Sequence, residues 1–161
     1  MSNPQPNLEL ARKVVQTEAA CIGALAGRIG ADFAAAARAV YECPGTVILT
    51  GIGKAGVIAR KISGTLASTG TPSIFLHPVE ALHGDLGRVR RDDVVIALSH
   101  SGRTEEILAL VNHLKARGAR LVAITSQPAT PLAQYADIAL CYGQVEAVGA
   151  RPSGQASSTW P

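Results

Sequence analysis

Three short polar stretches interrupt an otherwise apolar sequence, and each carries residues able to do chemistry. Ser99 to Glu106 reads SHSGRTEE. Ser99, Ser101 and Thr104 supply hydroxyls that can donate to phosphate oxygens. The Gly102 and Arg103 N–H groups belong at the start of a helix, where the backbone dipole favours an anion. Helix capping by Ser101 or Thr104, with glutamates in the first turn, explains one hydroxyl and the carboxylates. It leaves a serine two positions away and a glycine unexplained, so a phosphate cradle is the better reading.

Thr50 to Gly56 reads TGIGKAG. Glycines let a backbone approach a ligand closely, and Lys54 stands where it can meet an anion. The GxxxxGK[ST] spacing of a nucleotide-binding loop is absent, and a dinucleotide-binding turn is set aside because Arg60 and Lys61 follow. A plain strand-to-helix turn with a surface lysine is an equal alternative. His77 to Gly87 reads HPVEALHGDLG and brings His77, Glu80, His83 and Asp85 into one short segment. These could form an acid–base site or a metal site. Metal is the weaker option, because no HxH, HxxxH or HExxH spacing occurs, and no metal is expected.

The elements around these stretches must place them. Apolar residues recur at helical spacing from Leu8 to about Ala26, and a second helix is expected from Ala31 to Tyr41, stopping at CPG. The pattern then changes to short runs of the kind buried on both faces of a sheet: TVILTG, PSIFLH, DVVIALS, RLVAITS and DIALCY. Helical segments alternate with them: KAGVIARKISGTLAST, a short irregular VEALHGDLG, RTEEILALVNHLKARG closed by Gly118, and TPLAQYA. Alternation of this kind means an α/β fold, a three-layer sandwich with a five-stranded parallel sheet between helices. Ligands bind outside the carboxyl ends of such strands, and all three polar stretches fall there. Residues 1–7 read as a flexible start, residues 8–142 as one domain, and residues 143–161 as a divergent tail rich in Gly, Ser and Pro.

Composition narrows the classes. With 161 residues, 47% apolar and 17% charged, the chain can fold around one sizeable core. A net charge of +3, without aromatic residues among the basic ones, gives no support to nucleic-acid binding. Cys21, Cys43 and Cys141 show no metal-ligand or CxxC spacing and read as buried thiols in a reducing compartment. No basic segment leads into an apolar one at the start, and no apolar run reaches about 20 residues. A cytoplasmic protein without membrane contact is expected.

Together GIGKAGVIARKISGTLASTGTP, HPVEALHGDLG and SHSGRTEEI resemble the sugar isomerase (SIS) domain family, and within it arabinose-5-phosphate isomerases of the KpsF/GutQ type. The likeness runs from about Leu8 to Tyr142. It implies a Rossmann-like SIS fold, self-association as a homodimer or homotetramer, and no cofactor. It also implies interconversion of D-arabinose 5-phosphate and D-ribulose 5-phosphate through a cis-enediol, in Kdo and lipopolysaccharide synthesis. Position by position, Ser99, Ser101 and Thr104, with Gly102, match the phosphate-binding loop. Lys54 matches an active-site lysine, His83 the histidine of HGD, and Glu106 an active-site carboxylate. Gly53, His77 and Asp85 are further substrate-binding candidates. The family's second active-site glutamate falls on Ala147 without a gap and on Glu146 with a one-residue shift, so Glu146 is a fourth catalytic candidate. The segment after Tyr142 departs from the family pattern. The alternatives are therefore a non-catalytic phosphosugar-binding module or a truncated, inactive product.

Overall fold

The computed structural model describes residues 7–143. These fall into two compact units, one holding the first helix up to Gly27 and the other beginning at Arg28. The first helix, α1 (Leu8–Leu25), is capped by Asn7, whose side-chain oxygen accepts from the Leu10 N–H at 2.9 Å. None of its residues is buried; Leu8, Val15 and Ile22 are all well exposed.

In the second unit α2 (Ala31–Tyr41) leads into β1 (Val47–Gly51), and α3 (Gly53–Ser68) follows. Next come β2 (Ser73–Phe75), the short α4 (Pro78–Leu82), a 3-10 turn over Asp85–Arg88, and β3 (Val94–Leu98). The chain continues through α5 (Glu105–Ala116), β4 (Arg120–Thr125), α6 (Pro131–Tyr135) and β5 (Ile138–Cys141). The five strands are all parallel, in the order β2-β1-β3-β4-β5. The expected sandwich is present. Strand residues alternate between its two cores: Ile48, Val95, Ala97, Leu121 and Ala123 pack with Ala81, Ile107, Leu110, Leu114 and Leu132 of α4, α5 and α6. Val47, Leu49, Val94, Ile96 and Leu98 face Ala36, Ala39 and Ala59 of α2 and α3. Alanines on that side let two helices lie close to the sheet. Burial of this apolar surface is the main driving force for the fold.

Two expectations change. The second strand is three residues long rather than six, because it is an edge strand paired only to β1, and His77 and Pro78 already begin α4. The three cysteines are free but half-buried rather than buried. Among the described residues no single helix is long and apolar enough to cross a membrane.

A carboxylate ties α5 and β4 to the start of β5. Asp137 accepts from the Leu121 N–H at 2.7 Å and from Lys115 Nζ at 3.0 Å. Burial alone pushes its pKa up, but the Leu121 hydrogen bond and the Lys115 ammonium outweigh that and hold it below the ordinary 3.8. The unfolded chain therefore takes up the proton at higher pH than the folded one. This stabilisation is complete above the ordinary value and fades as pH falls through the lowered one. Asp137→Asn should melt lower than the wild type at pH 7, and thermal melts should show the gap closing below about pH 4.

Candidate active site

The strand order turns at the β1/β3 boundary: β2 lies to one side of β1, while β3, β4 and β5 continue on the other. At such a switch point the loops leave in opposite directions and open a crevice at the carboxyl edge, where ligands bind in open α/β sheets. The register places Gly51 of β1 beside Leu98 of β3, and Leu49 beside Phe75 of β2. Segments 52–56, 76–87 and 99–106 therefore leave three adjacent strands at one edge, with the β1 loop in the middle.

The β1 loop turns directly into α3. Gly53 opens this helix with φ 58°, and Lys54 follows, exposed in its first turn. Among the described residues Lys54 makes no ion pair. Gly56 packs so closely on the end of β1 that a Cβ there would lie 2.7 Å from the Gly51 carbonyl oxygen. Gly51, Gly53 and Gly56 do have the GxGxxG spacing of dinucleotide-binding turns, which corrects the sequence reading: the third glycine is Gly56, ahead of Arg60. That fingerprint also needs an acidic residue near the end of the second strand to hold a ribose, and here the chain presents Leu76 and His77.

His77 occupies the N-cap position of α4, half-buried, with its ring edge-on to Phe75 at 6.3 Å between centroids. His83 closes the same helix as its C-cap, with its N–H bonded to the Val79 and Glu80 carbonyls and its side chain exposed. Asp85, half-buried, starts the 3-10 turn and faces Arg88 Nη1 at 3.4 Å. Glu80 is exposed on α4.

The β3 loop is the most tightly built of the three. Ser99 is only 4% exposed. Its hydroxyl meets Thr104 Oγ1 at 2.8 Å and accepts from the Gly102 N–H at 3.1 Å. The Arg103 N–H donates to Ser101 Oγ at 3.2 Å. The Gly102 and Arg103 N–H groups, expected to be available to an anion, are thus engaged inside the loop. The outward donors are the hydroxyl of exposed Ser101 and the first-turn N–H groups of α5, which have no intrahelical acceptor, and the half-buried Thr104 hydroxyl joins them when Ser99 is the donor of their shared bond. Thr104 occupies the N-cap position, yet its side chain makes no capping bond. Helix capping therefore does not explain it. Glu105 and Glu106 lie exposed in the first turn, where the dipole favours carboxylates.

Contacts from the ends of β4 and β5 and from α6 hold this loop in place, and little in the sequence announces them. Thr125 Oγ1 donates to the His100 carbonyl at 3.3 Å, the Ser126 N–H to the same carbonyl at 3.1 Å, and the Leu132 N–H to the Gly102 carbonyl at 3.1 Å. His100 Nδ1 and the Tyr142 hydroxyl are 2.7 Å apart, so the loop is also tied to the chain leaving β5. Burial raises the Tyr142 pKa, which keeps the phenol protonated and able to donate. Glu146 lies outside the described residues.

This edge presents an internally hydrogen-bonded hydroxyl loop and an exposed lysine on neighbouring strand ends, with histidines and carboxylates on the third segment. Known proteins resemble the chain over most of its length. An arabinose 5-phosphate isomerase KdsD of Pseudomonas aeruginosa is 43% identical over 141 residues, covering 86% of this chain and 43% of the relative. Its Escherichia coli K12 counterpart is 45% identical over 130 residues, covering 81% of this chain and 40% of the relative. The chain thus spans about two fifths of the length of these curated relatives. Among solved structures, the E. coli CFT073 protein c3406 in complex with arabinose 5-phosphate superposes with a TM-score of 0.77 at 38% identity, over 92% of this chain and 82% of that one. A family model described as the SIS domain matches residues 40–158. Most of the chain is accounted for by that match, and it belongs to the SIS domain family.

Proposed function

We propose that the chain is the catalytic SIS domain of a sugar-phosphate isomerase that interconverts D-arabinose 5-phosphate and D-ribulose 5-phosphate. The observation carrying this reading is the convergence of all three polar segments on adjacent strand ends at the switch point. Relatives named arabinose 5-phosphate isomerase and the likeness to a protein complexed with that sugar phosphate support the choice of sugar.

In this reading Ser101 and Thr104 hold the phosphate, with the first-turn N–H groups of α5. Ser99 and Gly102 keep Thr104 and the loop in position from within. Glu105 and Glu106 repel an anion, so the phosphate needs a positive counterweight, and Lys54 on the neighbouring β1 loop supplies it. Gly53, His77 and Asp85 line the sugar's path. A base removes the proton from the carbon alpha to the carbonyl, C2 of the aldose or C1 of the ketose, and returns it to the other carbon. A second group moves a proton between O1 and O2 of the enediol. The balance closes within the substrate, and rate comes from a positioned base and from charge that supports the enediolate. Glu106 is the proposed base, with Glu146 as a second carboxylate, and His83 serves ring opening or the oxygen-to-oxygen transfer.

Self-association as a homodimer or homotetramer would cover the apolar residues exposed on α1, such as Val15 and Ile22. A phosphorylated sugar does not cross bilayers unaided, and this supports a cytoplasmic setting for the proposed activity.

The Ser101→Ala, Thr104→Ala double variant should raise KM for arabinose 5-phosphate by roughly 10- to 100-fold through lost phosphate hydrogen bonds. Steady-state kinetics with an unchanged KM would remove the phosphate assignment. Arabinose 5-phosphate supplied to the 161-residue chain should yield ribulose 5-phosphate. Thermal stabilisation by the sugar phosphate with no product formed would instead favour a non-catalytic binding module.

A further inference from the structure

Among the described residues one buried side-chain polar atom has no hydrogen-bond partner, Thr50 Oγ1. Thr50 is 0% exposed and is the penultimate residue of β1, the middle strand of the candidate site. Residues two apart on a strand share a face, so Thr50 stands on the side of Ile48, which packs with Leu76, Ala81, Ala97 and Ile107. Its Cα partner on β3 is Ala97. On the β2 side the Leu76 N–H donates to the carbonyl of Leu49, so Leu76 flanks Thr50 there. The hydroxyl therefore lies under the seam between the His77–Gly87 segment and the first turn of α5, among side chains that offer it no partner.

Such a group is costly. A buried hydroxyl without a partner destabilises the fold, and valine has nearly the same shape. Val47, Ile48 and Leu49 show that apolar side chains fill the same strand. A hydroxyl both donates and accepts, so it can pair with a sugar hydroxyl in either role. Building on the isomerase reading, we propose that Thr50 is a sugar-binding residue whose Oγ1 bonds a hydroxyl of the bound substrate, directly or through one trapped water. The substrate reaches it by parting the seam beneath α4, a helix of only five residues. The phosphate is held elsewhere, by the β3 loop and Lys54, so Thr50 discriminates sugars without contributing to phosphate affinity.

Thr50→Val and Thr50→Ser separate these contributions, with affinities read from thermal-shift titrations using arabinose 5-phosphate and, separately, inorganic phosphate. In Thr50→Val the melting temperature without ligand should stay the same or rise, arabinose 5-phosphate should bind about 10-fold more weakly, and phosphate should bind as in the wild type. Thr50→Ser, which keeps the hydroxyl, should bind both ligands within about twofold of the wild type. Equal sugar-phosphate affinity in Thr50→Val overturns the proposal. So does equal weakening toward both ligands, which would mean that Thr50 acts only through loop geometry. A lowered melting temperature with ligand affinities unchanged overturns it in favour of a purely structural bond. A wild type that binds phosphate but not arabinose 5-phosphate removes the isomerase reading itself, and this inference with it.

Discussion

Glu106→Gln should lower kcat for arabinose 5-phosphate by about 10²- to 10⁴-fold, the range typical for loss of a general base, with KM changed by less than about threefold. The amide keeps the size of the carboxylate and cannot take up a proton. The loop should be unaffected, because it is held by Ser99, Thr104, Gly102 and the β4 contacts, none of which involves Glu106. Neighbouring Glu105 provides the internal control. It has the same charge in the same turn, so Glu105→Gln removes the same repulsion toward phosphate but no base. Steady-state rates and binding titrations on both variants distinguish the roles. Equal small effects at both positions would mean that the carboxylates only balance the helix dipole. A collapse in affinity at Glu106 with kcat retained would make it a binding residue instead.

Gly102→Ala should be as damaging through a different route. Gly102 has φ 60°, a left-handed conformation that a side chain disfavours. A Cβ there would also collide with Thr130 Cβ and Oγ1 and come within 2.9 Å of Thr125 Oγ1. Thr125 and Thr130 are both buried, so neither can swing aside. Strain and overpacking together cost on the order of 3 kcal/mol. The loop can relieve them only by moving away from β4 and α6, breaking the Leu132-to-Gly102 bond and carrying Ser101 and Thr104 with it. The variant should lose stability in denaturant melts and bind inorganic phosphate at least about 10-fold more weakly. Phosphate affinity at the wild-type level in a folded Gly102→Ala protein would show that the loop geometry is not what holds the anion.

Much of this architecture was legible in the sequence, and the reasons differ by element. The buried runs Val47–Gly51 and Val94–Leu98 announce a parallel sheet because strands covered on both faces are apolar throughout rather than alternating. That HPVEALHGDLG and SHSGRTEE flank TGIGKAG on either side was not legible, since strand order is a non-local property that no single run encodes. The observed order β2-β1-β3-β4-β5 is what brings the three polar segments side by side with TGIGKAG in the middle. The inner bonds of the β3 loop were hidden for the same reason. Thr125, Thr130 and Tyr142 lie well beyond Thr104 in the chain and belong to no motif, and only the fold brings them to His100 and Gly102. Thr50 looked like one more β-branched strand residue, and only its lack of a partner sets it apart.

The central claim is that segments 52–56, 76–87 and 99–106 form one phosphosugar site. Backbone-amide NMR titration of the chain with arabinose 5-phosphate tests it most directly. The expected result is that amides in all three segments shift together and saturate with a single Kd, while those at the amino ends of the strands stay still. Shifts confined to one segment, or absent from the β3 loop, would contradict it.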